Sequence, residues 1–257
     1  MARIRSLIFN GFFFAWTALM LLVMWLALPL RRAAMQRFVR LWGEGNRAAL
    51  RYVVGLDYEI RGKENMPAGP AIVACKHQSA WETMFFHSVF PDPAYVLKQE
   101  LSRIPLWGVY ARKCQAVIVN RSGGASALKA LVRDARRALG DGQQIVIFPE
   151  GTRAAPGSRQ PYHPGVAALY TQCCVPAVPV ALNSGLFWGR RSFAKRSGTI
   201  VIEFLPPIAP GLDRRTFMAE LADRIESATA RLEAEAVDAL GSPETGIKSS
   251  TGCESRG

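Results

Sequence analysis

Residues 7–30 contain no Asp, Glu, Lys or Arg, and the run includes Phe12, Phe13, Phe14, Trp16, Leu21 and Trp25. As a helix, at about 1.5 Å per residue, it is long enough to cross the roughly 30 Å hydrocarbon core of a bilayer. A cleaved secretory leader has a shorter apolar region and ends in small residues. Here Pro29-Leu30-Arg31-Arg32 follows directly, so the run reads as a retained membrane anchor. Two attachments fit it: a spanning helix, or a helix or helix pair embedded in one leaflet. Arg3 and Arg5 precede the run, whereas Arg31, Arg32, Arg37, Arg40, Arg47 and Arg51 follow it. The more basic flank normally stays in the cytoplasm, so the rest of the chain is expected on the cytoplasmic side of the membrane.

Charge narrows the choice of partner. The formal net charge is +12, and residues 1–51, with eight Arg and one Glu, supply +7 of it. Basic residues flanking an apolar anchor contact anionic phospholipid, so membrane lipid is the expected surface and nucleic acid is not an expected partner. The five cysteines are odd in number and have no Cys-x-x-Cys spacing, which points to a reducing compartment rather than a disulfide framework or a zinc site. Three scattered histidines give no basis for a metal centre.

The chain divides by composition into three segments: an anchor with a basic juxtamembrane helix (1–53), a globular part (54–240) and a polar tail rich in Gly and Ser (241–257), expected to be disordered. Within 32–54, Met35, Phe38, Val39 and Trp42 share one helical face. Residues 56–60 alternate like a strand. Further strand-like runs fall at 71–75, 95–97, 116–119, 145–148, 177–182 and 199–204. Between two of them, Leu128, Leu131, Val132, Ala135 and Leu139 mark an amphipathic helix. Phe217, Leu221, Ile225, Ala228 and Leu232 mark a long last one. Alternation of this kind predicts an α/β fold.

Lys76-His77-Gln78-Ser79-Ala80-Trp81-Glu82-Thr83 follows the strand at 71–75 and opens a helix. Ser79 to Glu82 fits the capping box, with Ser79 as N-cap. That reading leaves His77 unexplained. A carboxylate in the first turn points back toward the imidazole, fixes one ring nitrogen and leaves the other free to take a proton from a hydroxyl. The two readings are compatible. If the strands are largely parallel, their carboxyl ends share one edge, where α/β proteins place their sites. His77, Lys98, Arg121 and the run Phe148-Pro149-Glu150-Gly151-Thr152-Arg153 each follow one of four strands. A general base beside up to three cations suits a substrate with a hydroxyl near a phosphate.

These blocks resemble the 1-acyl-glycerol-3-phosphate acyltransferases. Lys76 to Glu82 is similar to that family's first block, usually written His-x-x-x-x-Asp. Val96-Leu97-Lys98-Gln99-Glu100 onward, with Asn120-Arg121, is similar to the second. Phe148 to Arg153 is similar to the third, and Val175-Pro176-Ala177-Val178-Pro179-Val180 to the fourth. The order and approximate spacing agree across about residues 50–210.

The resemblance implies a glycerolphosphate acyltransferase-like mixed sheet flanked by helices, with an N-terminal membrane helix. It implies transfer of a fatty acyl group from an acyl carrier protein or coenzyme A thioester to the sn-2 hydroxyl of lysophosphatidic acid, giving phosphatidic acid. His77 would be the base, oriented by Glu82. Arg153, with Lys98 and Arg121, would hold the phosphate; Gly151, which allows close backbone approach, Thr152, and Glu150, which braces the loop, complete the implied substrate-binding set. Neither metal nor other cofactor is required, because a thioester is already activated. Glu82 departs from the usual Asp, retaining the charge with one more methylene of reach.

Other features keep two readings each. His87 reads as packing or surface. His163 occupies a loop near the third block, as a substrate contact or as plain loop filler. Cys75 is either an apolar strand filler or the nucleophile of an acyl-enzyme. The run at 185–196 mixes aromatics with cations, as a membrane or acyl-carrier-protein contact or as a plain basic loop. Rival functions are acylation of another lysolipid, such as a lyso-aminolipid, and lipid binding without turnover.

Overall fold

The short apolar runs form a seven-stranded mixed sheet with helices on both faces. The computed structural model describes residues 1–120 and 123–241, so Arg121 and the tail beyond Gly241 lie outside the described residues. In chain order the elements are α1 (Ala2–Leu26), α2 (Arg32–Ala49), β1 (Leu56–Arg61), β2 (Ile72–Cys75) and α3 (Trp81–Val89). Then come β3 (Ala94–Lys98), α4 (Trp107–Lys113), β4 (Val117–Val119), α5 (Gly124–Gly140) and β5 (Ile145–Ile147). The last are α6 (Gly165–Cys173), β6 (Ala177–Leu182), β7 (Gly198–Phe204) and α7 (Arg214–Gly241). The expected strands all form, and α2 runs on through a π-helical turn at Leu50–Val54 before Gly55 ends it.

The strand order is β1-β7-β6-β2-β5-β3-β4. β6, β2, β5, β3 and β4 are mutually parallel. β7 runs antiparallel to β6 and parallel to β1. The sheet is therefore mixed, and four neighbouring parallel strands (β2, β5, β3, β4) end on one edge.

Alternation of side chains splits the core in two. Val73, Cys75, Val146 and Val180 pack with Trp81, Phe85 and Phe86 of α3 on one face. Ile72, Ala74, Ile145 and Ile147 pack under α5, α6 and α7 on the other. Strands covered on both faces have no use for polar alternation, which is why β2 and β5 read as unbroken apolar runs.

The apolar helix α1 does not stand apart from this core. Phe9 is 0% exposed and belongs to the same cluster as Val73 and Phe85. Its ring meets Trp188 edge-on at 5.5 Å. Nearby, the Lys195 N–H donates to Ser6 Oγ at 2.9 Å. Toward its other end, Met20 and Met24 pack with Met35, Tyr110 and Cys114, and the Tyr110 hydroxyl donates to Leu21 O at 2.6 Å. Between these contacts α1 lies on α2. Trp16 Nε1 donates to Trp42 O at 3.1 Å, and Trp42 Nε1 donates to Thr17 Oγ1 at 3.0 Å. Gly45 permits the approach, since a Cβ there would come within 2.6 Å of Trp16 Nε1.

Removing the Phe9 ring should therefore leave a cavity in the domain core. Phe9→Ala is expected to destabilise the whole fold by about 3–5 kcal/mol, read as a lower midpoint of thermal unfolding in detergent. An unchanged midpoint would mean that α1 is an accessory to the core rather than part of it.

Candidate active site

β2 stays in the ladder through Lys76, whose N–H donates to Val180 O at 2.9 Å. His77 is the first residue past it. The third block clamps its backbone from both sides: the His77 N–H donates to Glu150 Oε2 at 2.9 Å, and His77 O accepts the Ala154 N–H at 2.8 Å. The imidazole lies on the Phe148 ring, with centroids 4.1 Å apart and planes at 19°. Its Nδ1 is 2.9 Å from Glu82 Oε1, and the side chain is 15% exposed. A carboxylate on Nδ1 holds the proton there and leaves the lone pair on Nε2.

Glu82 is 0% exposed and its two oxygens are fully occupied. Oε1 accepts the N–H groups of Gln78 and Ser79 at 2.6 Å each, besides facing His77. Oε2 accepts the Ser184 hydroxyl at 2.9 Å. α3 begins at Trp81 with Ala80 at the N-cap, one residue later than the capping-box pattern places it. Half of the box is nonetheless made, because Glu82 Oε1 accepts the Ser79 N–H, while Ser79 Oγ accepts the N–H of Trp81, one residue short of the box position, at 3.2 Å. One oxygen of Glu82 therefore serves both the cap and the imidazole.

Glu150 is buried, and its Oε1 lies 2.7 Å from Lys76 Nζ. Burial pushes its carboxyl above the usual range, against the pull of the Lys76 ammonium and the His77 N–H. It braces the loop from below and does not line the open edge. Gly151 has φ +64°, a conformation that glycine adopts without strain, and its N–H closes the turn onto Phe148 O at 2.9 Å. Thr152 and Arg153 are half-buried, and Arg153 adjoins the Ala154 N–H that touches His77. Lys98, half-buried at the end of β3, is two strands from β2, about 10 Å across the sheet. The structure thus brings His77, Glu82 and the 148–153 loop together, with Lys98 on the same edge.

The remaining candidates separate. Cys75 is fully buried, donates its thiol to Lys76 O at 3.1 Å, and is pushed well above the ordinary thiol range by that burial and by the Glu82 and Glu150 charges. It is a core filler. His163 is exposed, and its N–H donates to Pro149 O at 2.8 Å, so its loop lies against the third block. His87 lines an apolar cavity of about 280 Å³ that also touches Thr83, Leu97, Trp107, Tyr110 and Leu21. Burial, aided by the Arg40 charge, lowers its pKa to about 3, so it stays neutral. In the run at 185–196, Lys195 is buried and sits over the Trp188 ring at 4.9 Å, with burial lowering its pKa to about 8. Arg190, Arg191 and Phe193 of that run are exposed.

Two participants escaped the sequence reading. Ser184 joins Glu82 across 102 residues of sequence, and its only signal is its place just past the fourth-block strand. The Lys76 side chain runs under the site to Glu226, 150 residues away, at 2.8 Å. A charged residue directly after four buried apolar ones was the available sign of that pair.

A model of the family described as Acyltransferase matches residues 57–183, from β1 to the end of β6. Over 185 residues the chain is 35% identical to a 1-acyl-sn-glycerol-3-phosphate acyltransferase of Pseudomonas aeruginosa, with 72% of each protein covered. Over 180 residues it is 28% identical to a 1-acyl-sn-glycerol-3-phosphate acyltransferase alpha of Homo sapiens, covering 68% of this chain and 63% of that one. The crystal structure of the 1-acyl-sn-glycerophosphate (LPA) acyltransferase, PlsC, from Thermotoga maritima shares the fold, with a TM-score of 0.73 at 20% identity over 91% of this chain and 100% of that one. Relatedness over most of both sequences, on a matching fold that carries all four blocks, makes this chain a member of the acyltransferase family.

Proposed function

We propose that this protein moves a fatty acyl group from an acyl carrier protein or coenzyme A thioester to the sn-2 hydroxyl of 1-acyl-sn-glycerol 3-phosphate. The observation that carries the reading is the half-buried His77, held on Nδ1 by a carboxylate whose other hydrogen-bonding positions are filled. Nε2 takes the proton of the acceptor hydroxyl as its oxygen attacks the thioester carbonyl. The tetrahedral intermediate then expels the thiolate, which recovers that proton from the imidazolium. The C–O bond forms, the C–S bond breaks, and the protein ends as it began. The Glu82 carboxylate, 2.9 Å from Nδ1, stabilises the imidazolium between the two transfers.

Arg153 precedes Ala154, whose N–H donates to His77 O, and its planar fork suits a phosphate. Lys98 adds a second positive charge on the same edge. The apolar cavity meets Thr83, next to Glu82, and Leu97, next to Lys98. It offers an acyl chain a dry path away from the reacting atoms.

The protein works at a membrane surface. Along α1, Ile4, Leu7, Ile8, Phe14, Leu22 and Leu26 are more than half exposed, while the opposite side of the helix touches the domain near both ends. A helix held along its length against a folded domain lies in one leaflet rather than crossing two. The basic flanks and free cysteines suit the cytoplasmic face.

Turnover of lysophosphatidic acid with either thioester, in detergent, tests this directly. His77→Ala should lower kcat by about 10²–10⁴-fold, the usual worth of such proton transfer. Glu82→Gln, which keeps the shape and removes the charge, should cost at least about tenfold. Arg153→Ala should raise KM for the acceptor roughly 10–100-fold, the loss of a charge-assisted contact. Activity confined to a lysolipid without a free phosphate monoester would sink the acceptor assignment. Cys75→Ala should retain turnover, and an inactive but folded Cys75→Ala would restore the acyl-enzyme alternative.

A further inference from the structure

We propose that α7 belongs to the catalytic apparatus, with Glu226 and Glu233 as positioning residues that hold the His77–Glu82 pair through Lys76 and Gln78. The inference rests on the reading of His77 as the base. It concerns a helix beyond the stretch that the family model matches, which ends at residue 183.

The two neighbours of His77 point away from the open edge, as alternate side chains of extended backbone must. Lys76 is 1% exposed and Gln78 is 0% exposed. Lys76 Nζ donates to both oxygens of Glu226, at 2.8 and 2.9 Å. Gln78 Nε2 donates to Glu233 Oε1 at 2.6 Å, and Gln78 Oε1 accepts the Gly185 N–H at 3.0 Å. Glu226 and Glu233 are seven residues apart, close to two helical turns, so they share a face about 10 Å apart. A third tether lies between them in sequence. Leu232 O accepts Asn183 Nδ2 at 3.2 Å, and the next residue, Ser184, donates to Glu82 Oε2.

Three groups that touch the Glu82 carboxylate are the His77 ring, the Gln78 N–H and the Ser184 hydroxyl. Each belongs to a residue that α7 holds directly or to its immediate neighbour. Covering the sheet does not require this. Phe217, Leu221 and Ile225 already do so with apolar contacts, and buried ion pairs are often replaceable by apolar residues without loss of stability. What Glu226 and Glu233 add is a fixed position for the chain on both sides of His77. Tyr162 completes the arrangement by donating to Glu226 Oε1 at 2.9 Å, spreading the surplus negative charge.

The test uses the full chain in detergent and compares Glu226→Gln, Glu233→Ala, Gln78→Ala and the Glu233→Ala/Gln78→Ala double variant beside His77→Ala. A misplacement near 1 Å can cost about 10²-fold, so each single variant should lose about 10–100-fold in kcat, with both KM values within about twofold of wild type. The double variant should lose clearly less than the two single losses multiplied, because both cut the Gln78–Glu233 contact, although Gln78→Ala also frees the Gly185 N–H and Glu233→Ala the Gly157 N–H. Glu233→Gln keeps an acceptor for Gln78 and should recover most of the rate. Glu233 is only half-buried. If Glu233→Ala fails to accumulate, Gln78→Ala removes the same bond from the other side and carries the same expectation. Wild-type kcat in the folded single variants, with His77→Ala inactive, overturns the role of α7 and leaves the base in place. Turnover surviving in His77→Ala overturns the base assignment itself.

Discussion

A carboxylate withdrawn from water costs several kcal/mol unless its lone pairs are satisfied, and Glu82 is fully buried. Four donors meet it: the His77 ring, the Gln78 and Ser79 N–H groups, and the Ser184 hydroxyl. Those donors come from the end of β2, the start of α3 and the end of β6. The charge therefore ties three elements together, and each loses its stabilising partner if another moves. The longer side chain of Glu suits this arrangement. From the first turn of α3 it reaches back past two backbone amides and still presents the same oxygen to the imidazole.

Much of this was legible in the sequence because it is local. The five-residue spacing from His77 to Glu82 places both at one strand–helix junction, and the capping pattern aims the carboxylate correctly. The strands were legible because β2 and β5, covered on both faces, are uninterrupted apolar runs. The site's other half was not legible. Ser184 and Glu226 reach Glu82 and Lys76 across more than one hundred residues, and no periodicity reports a partner at that distance. Glu150 stands in the substrate-binding set that the resemblance implies, and its burial beneath the loop rests on Lys76, a lysine that local rules would leave in solvent.

α1 illustrates a different limit. Hydropathy reports that a helix avoids water, without saying whether lipid or protein replaces the water. Here both do. Phe9, Met20 and Met24 face the domain while Leu7, Phe14 and Leu22 face outward. The same helix also supplies Thr17, Leu21 and Met24 to the wall of the apolar cavity. An acyl chain in that cavity would rest against the inner side of a helix whose outer side is apolar and exposed.

The strand order also sets a timetable. β1 pairs in the sheet only with β7, and β7 is the last strand to leave the ribosome. Between Arg61 and Gly198 the nascent chain must grow by well over one hundred residues, on the order of ten seconds at ordinary rates of synthesis. Throughout that interval α1 is complete but lacks the loop at 188–195 that later covers Phe9. The sheet therefore closes last at its β1–β7 edge, and the cover over Phe9 arrives only with the residues that lead into that closure.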